Sequence, residues 1–131
     1  MGRFRNSHRR ALEYIENHPG LLHIENVIAR TIEMKLCDKK EKLLTKVDVV
    51  FFLTGDRVAV VEYKNGDKIQ QVKKAESQLQ IAFKWFTKEK YKPTCYFVDS
   101  KRYPEIYENM RHPRTQRYNG TRQRGTLQNG T

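Results

Sequence analysis

Two apolar runs separated by a short polar turn form the clearest hydrophobic pattern in this chain. They span residues 46–64 (KVDVVFFLTGDRVAVVEYK), and both runs are rich in Val or aromatic residues. This pattern predicts a β-hairpin. Three charged residues interrupt it, Asp48 on the first strand and Glu62 and Lys64 on the second. Because side chains alternate between the faces of a strand, Glu62 and Lys64 point the same way.

The length of the turn decides where Asp48 points. A three-residue loop at 54–56, or another odd count, places Asp48 directly opposite Glu62, whereas a two-residue loop turns Asp48 to the other face. The turn residues Thr, Gly and Asp fit both. We favour the three-residue loop because it places both carboxylates and Lys64 on one surface.

Two facing carboxylates repel each other and lose hydration, and this costs free energy unless another interaction compensates. A divalent cation between them would compensate, since Mg²⁺ prefers one or two carboxylates together with waters and phosphate oxygens. A lysine two residues further along could hold a phosphate or a metal-activated water, as in metal-assisted phosphodiester hydrolysis. The alternative is that Asp48, Glu62 and Lys64 are ordinary charges on a half-solvated sheet face.

Helical spacing of apolar residues predicts helices on both sides of the hairpin. The first two span residues 7–17 and 21–36, and Glu25 lies at the rim of the apolar face of the second. Glu25 is either a surface residue or an acid that points toward the hairpin and orders the metal or its waters.

The longest predicted helix follows the hairpin at residues 68–88. Gln78 lies beside its apolar stripe, either as a solvated helix residue or as a contact to Lys64, a water or DNA. An apolar strand at 94–98 joins the sheet, and a short helix follows at 104–110. Alternating helices and strands indicate an α/β fold.

The net charge of the chain predicts a polyanionic partner. The chain has 131 residues and a net charge of +11, and its two ends, residues 1–10 and 111–131, are rich in Arg and free of acids. We divide it into a basic arm with a short helix (1–20), a central domain (21–110) and a flexible basic tail (111–131). Such a balance favours nucleic acid. The residues expected to bind it are Arg3, Arg5, Arg9, Arg10, Lys74, Arg111, Arg114 and Arg117.

Other features of the sequence predict a protein of the cell interior, in the cytoplasm or with the nucleoid, and not in a membrane. The two cysteines, Cys37 and Cys95, are far apart and are expected to be reduced thiols. No apolar run approaches the roughly 18 residues that span a bilayer, and the polar, basic N-terminus lacks the apolar segment expected of a signal peptide.

The order of these motifs resembles the core of the PD-(D/E)xK nuclease superfamily, which includes restriction endonucleases, Holliday-junction resolvases and VRR-type nucleases. The resemblance covers residues 21–98, with Asp48 as the opening acid and Glu62-Tyr63-Lys64 as the second motif. Val47 stands where many members have proline. The resemblance implies a restriction-endonuclease-like αβββαβ core with a small mixed sheet flanked by helices.

The resemblance also implies a DNA nuclease that uses Mg²⁺ or Mn²⁺, with branched or junction DNA among its expected substrates and a homodimer as one expected assembly. Lys64 would orient the attacking water, and Gln78 would be a supporting contact. The expected metal ligands are Asp48, Glu62, the backbone carbonyl of Tyr63 and, through water, Glu25.

Two other functions fit the sequence. One is a non-catalytic nucleic-acid-binding protein built on a nuclease-like scaffold, which the basic ends alone would explain. The other is a small interaction protein whose charge serves solubility. RNA is a further substrate that the sequence leaves open.

Overall fold

The computed structural model describes residues 2–65 and 68–106, with side chains from Ser7 onward. These residues form a four-stranded sheet in the order β1-β2-β3-β4, in which only the β3–β4 pair is parallel. The elements along the chain are α1 (Gly2–Asn17), a 3₁₀ turn (Pro19–Leu22), β1 (Val27–Cys37), β2 (Leu43–Leu53), β3 (Arg57–Lys64), α2 (Ile69–Lys88) and β4 (Lys92–Asp99). The predicted α/β class with a small mixed sheet is confirmed.

The two helices cover opposite faces of the sheet. On one side, Leu12 of α1 packs in a core with Val49 and Val61. On the other side, Phe86 of α2 packs in a core with Val60 and its neighbours. Burying both faces explains why β2 and β3 read as nearly continuous apolar runs. Because α1 contributes to the core, it belongs to the same folded unit as the sheet.

The predicted helix at residues 21–36 is wrong, because most of that segment is the edge strand β1. Val27, Ile28, Thr31 and Ile32 are β-branched, which favours a strand. Ile28 is 67% exposed at this edge. Counting an exposed residue as part of a buried stripe produced the apparent helical spacing.

The β2–β3 hairpin has the three-residue connection that we predicted. Gly55 has a φ of 75°, a left-handed conformation that glycine adopts without strain. The register pairs Leu53 with Arg57 and Val49 with Val61. Continuing it by one pair places Asp48 opposite Glu62. The predicted helix at 68–88 and the strand at 94–98 are also confirmed, as α2 and β4.

Parts of the prediction lie outside the described residues. The predicted helix at 104–110 is described only through Ile106, which is buried. The tail at 111–131, with Arg111, Arg114 and Arg117, lies beyond that limit. The side chains of Arg3 and Arg5 are not described either, although α1 runs through both positions.

β1 and β2 both change face at one pair of residues, Glu33 and Asp48. The pairs on either side of it pack in different cores, under α1 and under α2 respectively: Ile32 with Val49, and Met34 with Val47. Residues two apart share a face in a regular strand, so the alternation breaks at the intervening pair. Glu33 has a φ of 54° there, which is strained for a residue with a Cβ.

This break predicts that the usual stability order of alanine and glycine variants is reversed at residue 33. In a regular strand, Gly is less stable than Ala by about 0.5–1 kcal/mol. At residue 33 we expect Glu33→Gly to be more stable than Glu33→Ala by about 1 kcal/mol, because glycine removes the left-handed strain. Both variants lose the same side chain, so urea denaturation of the two compares only the backbone. At Thr31, the matched control in β1, the usual order of Ala over Gly should hold; the same order at residue 33 would contradict the strain.

Candidate functional site

Asp48 and Glu62 meet where the β2–β3 ladder ends. Beyond Val49 and Val61, each carboxylate accepts a hydrogen bond from the backbone of the other strand. The Asp48 N–H donates to Glu62 Oε1 at 3.1 Å, and the Tyr63 N–H donates to Asp48 Oδ2 at 2.8 Å. Both residues are buried, with Glu62 only 1% exposed. The two acids therefore take the place of the next backbone pair and lie against each other between the strands.

The other oxygen of each carboxylate faces a positive or ionisable group. Lys64 Nζ lies 3.8 Å from Glu62 Oε2, and His8 Nε2 lies 3.5 Å from Asp48 Oδ1. Neither distance is that of a short hydrogen bond. The result is a small polar cluster of two acids and one lysine from the sheet and one histidine from α1.

The cluster shifts the acidity of its members. The pKa of Glu62 is raised to about 7, first by burial and then by the charge of Asp48, against the opposing effects of the Asp48 N–H, Lys64 and His8. The pKa of His8 is raised above its ordinary value, chiefly by its approach to the Asp48 carboxylate. Two close carboxylates without a cation between them thus make one of them a weak acid.

His8 is the site residue that the sequence analysis missed. It reaches the cluster from α1, which is distant in sequence from the hairpin. One signal was available, since His8 lies three and four residues before Ala11 and Leu12, two buried residues of α1. A histidine in line with a buried helical stripe faces the sheet.

Glu33, opposite Asp48, is tied to the same helix. Its Oε1 accepts a hydrogen bond from Arg9 Nη1 at 2.9 Å, and Arg9 Nε also lies 3.4 Å from Glu13. Arg9, which we predicted as a phosphate contact, is thus engaged with two acids. The other two predicted basic contacts with described side chains, Arg10 and Lys74, are exposed.

Glu25 does not reach this cluster. It is an exposed residue in the loop before β1 and lines a pocket with Leu53 and Arg57, at the turn end of the hairpin. Asp48 is five residues along β2 from Leu53, or roughly 17 Å at the rise of a strand. The predicted role of Glu25 near the metal depended on the helix that the structure replaces with a strand, and its position does not fit that role.

Gln78 lies on α2 as predicted, partly buried beside the sheet. Its Oε1 is buried and accepts no hydrogen bond from the residues that the structure describes. The Gln71 side chain, two turns earlier, is in the same state. A buried amide oxygen without a donor is costly, but no described contact joins Gln78 to Lys64, so its supporting role stays a prediction.

The donor set fits a hard divalent cation. Asp48 Oδ1 and Glu62 Oε2 are the oxygens not used by backbone donors, and Mg²⁺ is commonly held by one or two carboxylates with waters. Across residues 2–65 and 68–106, no group of three or more His, Cys, Asp or Glu side chains is arranged to hold a metal ion. Two carboxylate oxygens are ligands that suit Mg²⁺ or Mn²⁺ better than the tetrahedral Cys and His set of a closed zinc site.

Comparison with protein-family models, with curated proteins and with solved structures found no match for this chain. In the part of the chain that the structure describes, no helix is long and apolar enough to cross a membrane.

Proposed function

We propose that this protein is a metal-dependent nuclease that hydrolyses phosphodiester bonds of DNA. The observation that carries the proposal is the buried Asp48–Glu62 pair at the fork of β2 and β3, with Lys64 beside it. A structural role explains it poorly, because two buried acids in contact destabilise a fold unless something neutralises them. A divalent cation neutralises them and also supplies the Lewis acid and the activated water that phosphodiester hydrolysis needs.

The charge of each side chain in the site sets the role that we propose for it. Asp48, Glu62 and the Tyr63 carbonyl would hold Mg²⁺ or Mn²⁺. Lys64 carries a positive charge beside the ligand Glu62, where it would orient the attacking water and stabilise charge that develops on the phosphate. The order of helix, three strands, helix and strand supports the restriction-endonuclease-like arrangement that the motif implies.

Incubation with labelled DNAs tests the function most directly. The full-length protein should cleave at least one member of a panel of linear, nicked, flapped and four-way-junction DNAs with Mg²⁺ or Mn²⁺, and none with EDTA. The product lengths separate internal cutting from cutting at ends. Tight binding to these DNAs without cleavage in either metal would instead favour a non-catalytic binding protein, and a protein that neither binds nor cuts would remove nucleic acid from the proposal.

A further inference from the structure

Two lysines face each other across β1 and β2, next to the candidate site. The register pairs Lys35 with Lys46 directly, and both side chains are exposed. Like charges in this position destabilise a sheet. Within the described residues, no ion pair joins either lysine to an acid. Two neighbouring positive charges raise the local concentration of anions from solution.

The lysine pair lies one step from the acids on the same ladder. Lys35 is two residues beyond Glu33, and Lys46 is two residues before Asp48, so the lysine pair is roughly 7 Å from the Glu33–Asp48 pair. Both pairs also point to the same side of the sheet. Met34, Leu36 and Val47 pack under α2, so the lysines between or beside them point to the α1 side, where Glu33 and Asp48 contact Arg9 and His8 of α1.

We propose that Lys35 and Lys46 form a phosphate-binding strip for the DNA strand that enters the site. This inference rests on the proposed nuclease function. A DNA strand carries one phosphate per about 3.4 Å of axis, so a strip roughly 7 Å from the carboxylates contacts phosphates one or two nucleotides from the scissile bond, one contact for each lysine. The strip positions the backbone and reads no base.

The local charges favour a flexible polyanion over an acidic protein surface. Glu33, the acid nearest to the strip on β1, is already bonded to Arg9, so it does not cancel the two lysines. The nearest exposed large apolar side chains, Leu43 and Leu44, come two or three residues before Lys46 on β2, and Leu44 lines a pocket with Ile81 and Trp85 on the α2 side. The strip itself has charge without an apolar anchor, which suits phosphates better than a protein interface, whose centre is usually apolar.

Binding measured without metal separates this inference from the catalytic one. The full-length Lys35→Ala/Lys46→Ala variant should bind fluorescein-labelled duplex DNA at least about tenfold more weakly than wild type at 0.1 M salt, in EDTA. The slope of log affinity against log salt should fall by about 1.8, since each lost phosphate contact removes about 0.9. Anisotropy titrations at several salt concentrations give both values.

Matched variants control for net charge and folding. Lys73→Ala/Lys84→Ala removes two exposed lysines from α2 and should leave the slope within error of wild type. Lys35→Arg/Lys46→Arg should bind as wild type. The melting temperature of the Ala pair should be unchanged or raised, because a repulsive pair has been removed.

The outcomes separate the two proposals. A reduced slope in a protein that never cleaves DNA supports the strip and counts against the nuclease. Cleavage with an unchanged slope in the Lys35/Lys46 variant overturns the strip and leaves the nuclease standing. Loss of binding to vesicles of anionic lipid, with DNA binding intact, also overturns the strip as a DNA site.

Discussion

Replacement of Glu62 with glutamine, or of Asp48 with asparagine, is expected to reduce Mg²⁺-dependent DNA cleavage by at least about 100-fold while the protein stays folded. The amide oxygens of both replacements can still accept the backbone hydrogen bonds that the carboxylates accept now. What each variant loses is a negative charge for the cation. Initial rates on the DNA that wild type cleaves best, with circular dichroism of each variant, measure the effect.

The same variants should bind DNA in EDTA within about twofold of wild type, or more tightly, because a negative charge near the phosphates has been removed. Glu76→Gln is the matched control, since it removes an exposed acid from α2 and should cleave as wild type does. Cleavage by Glu62→Gln or Asp48→Asn at a rate close to that of wild type would show that the pair is structural, and the nuclease proposal would fall with it.

The hairpin could be predicted because its determinants are local. Gly55 allows the left-handed turn, and the apolar runs on both sides fix which residues pair. That register alone makes Asp48 and Glu62 neighbours across the two strands, but it does not decide to which side of the sheet Asp48 points. The contact between the two acids was therefore predictable even though the helix that we placed before the hairpin does not exist, because the hairpin pairs them without residues 21–36.

What the sequence did not reveal depends on tertiary contacts. The residues around Glu33 and Asp48 in the sequence do not indicate the face change, because glutamate rarely adopts a positive φ. Without that break, strict alternation would point Asp48 toward α2 and away from His8. The approach of His8 depends on how α1 packs across the sheet, which no spacing within the hairpin encodes.

In metal-free buffer, Glu62→Gln is expected to become more stable than wild type as the pH rises. The pKa of Glu62 is raised from 4.5 to about 7 in the folded protein, so between these values the native state keeps a proton that the unfolded state has released. Stability from this group is complete below the unfolded pKa and is lost as the pH rises through the folded one. At about 1.4 kcal/mol per pKa unit, the loss reaches up to about 3 kcal/mol.

Urea denaturation of both proteins between pH 4 and roughly 8.5 measures this difference. The raised pKa of His8 acts in the same direction, with its contribution lost above the ordinary value of 6.5, so a His8→Asn variant is needed to separate the two groups. Glu76→Gln should differ from wild type by a constant amount at all pH values. A constant difference for Glu62→Gln as well would mean that Glu62 ionises in the fold without cost.

Mg²⁺ connects this stability difference to function. A cation held by Asp48 and Glu62 favours the ionised form of Glu62, so saturating Mg²⁺ should stabilise wild type above pH 6 and narrow its gap to Glu62→Gln. The Glu62→Gln side chain is neutral and binds the cation weakly, so the stability of this variant should respond little to Mg²⁺. Stabilisation of both proteins by the same amount would place the ion elsewhere on the chain, and the acids would then be a buried pair with no cation to explain them.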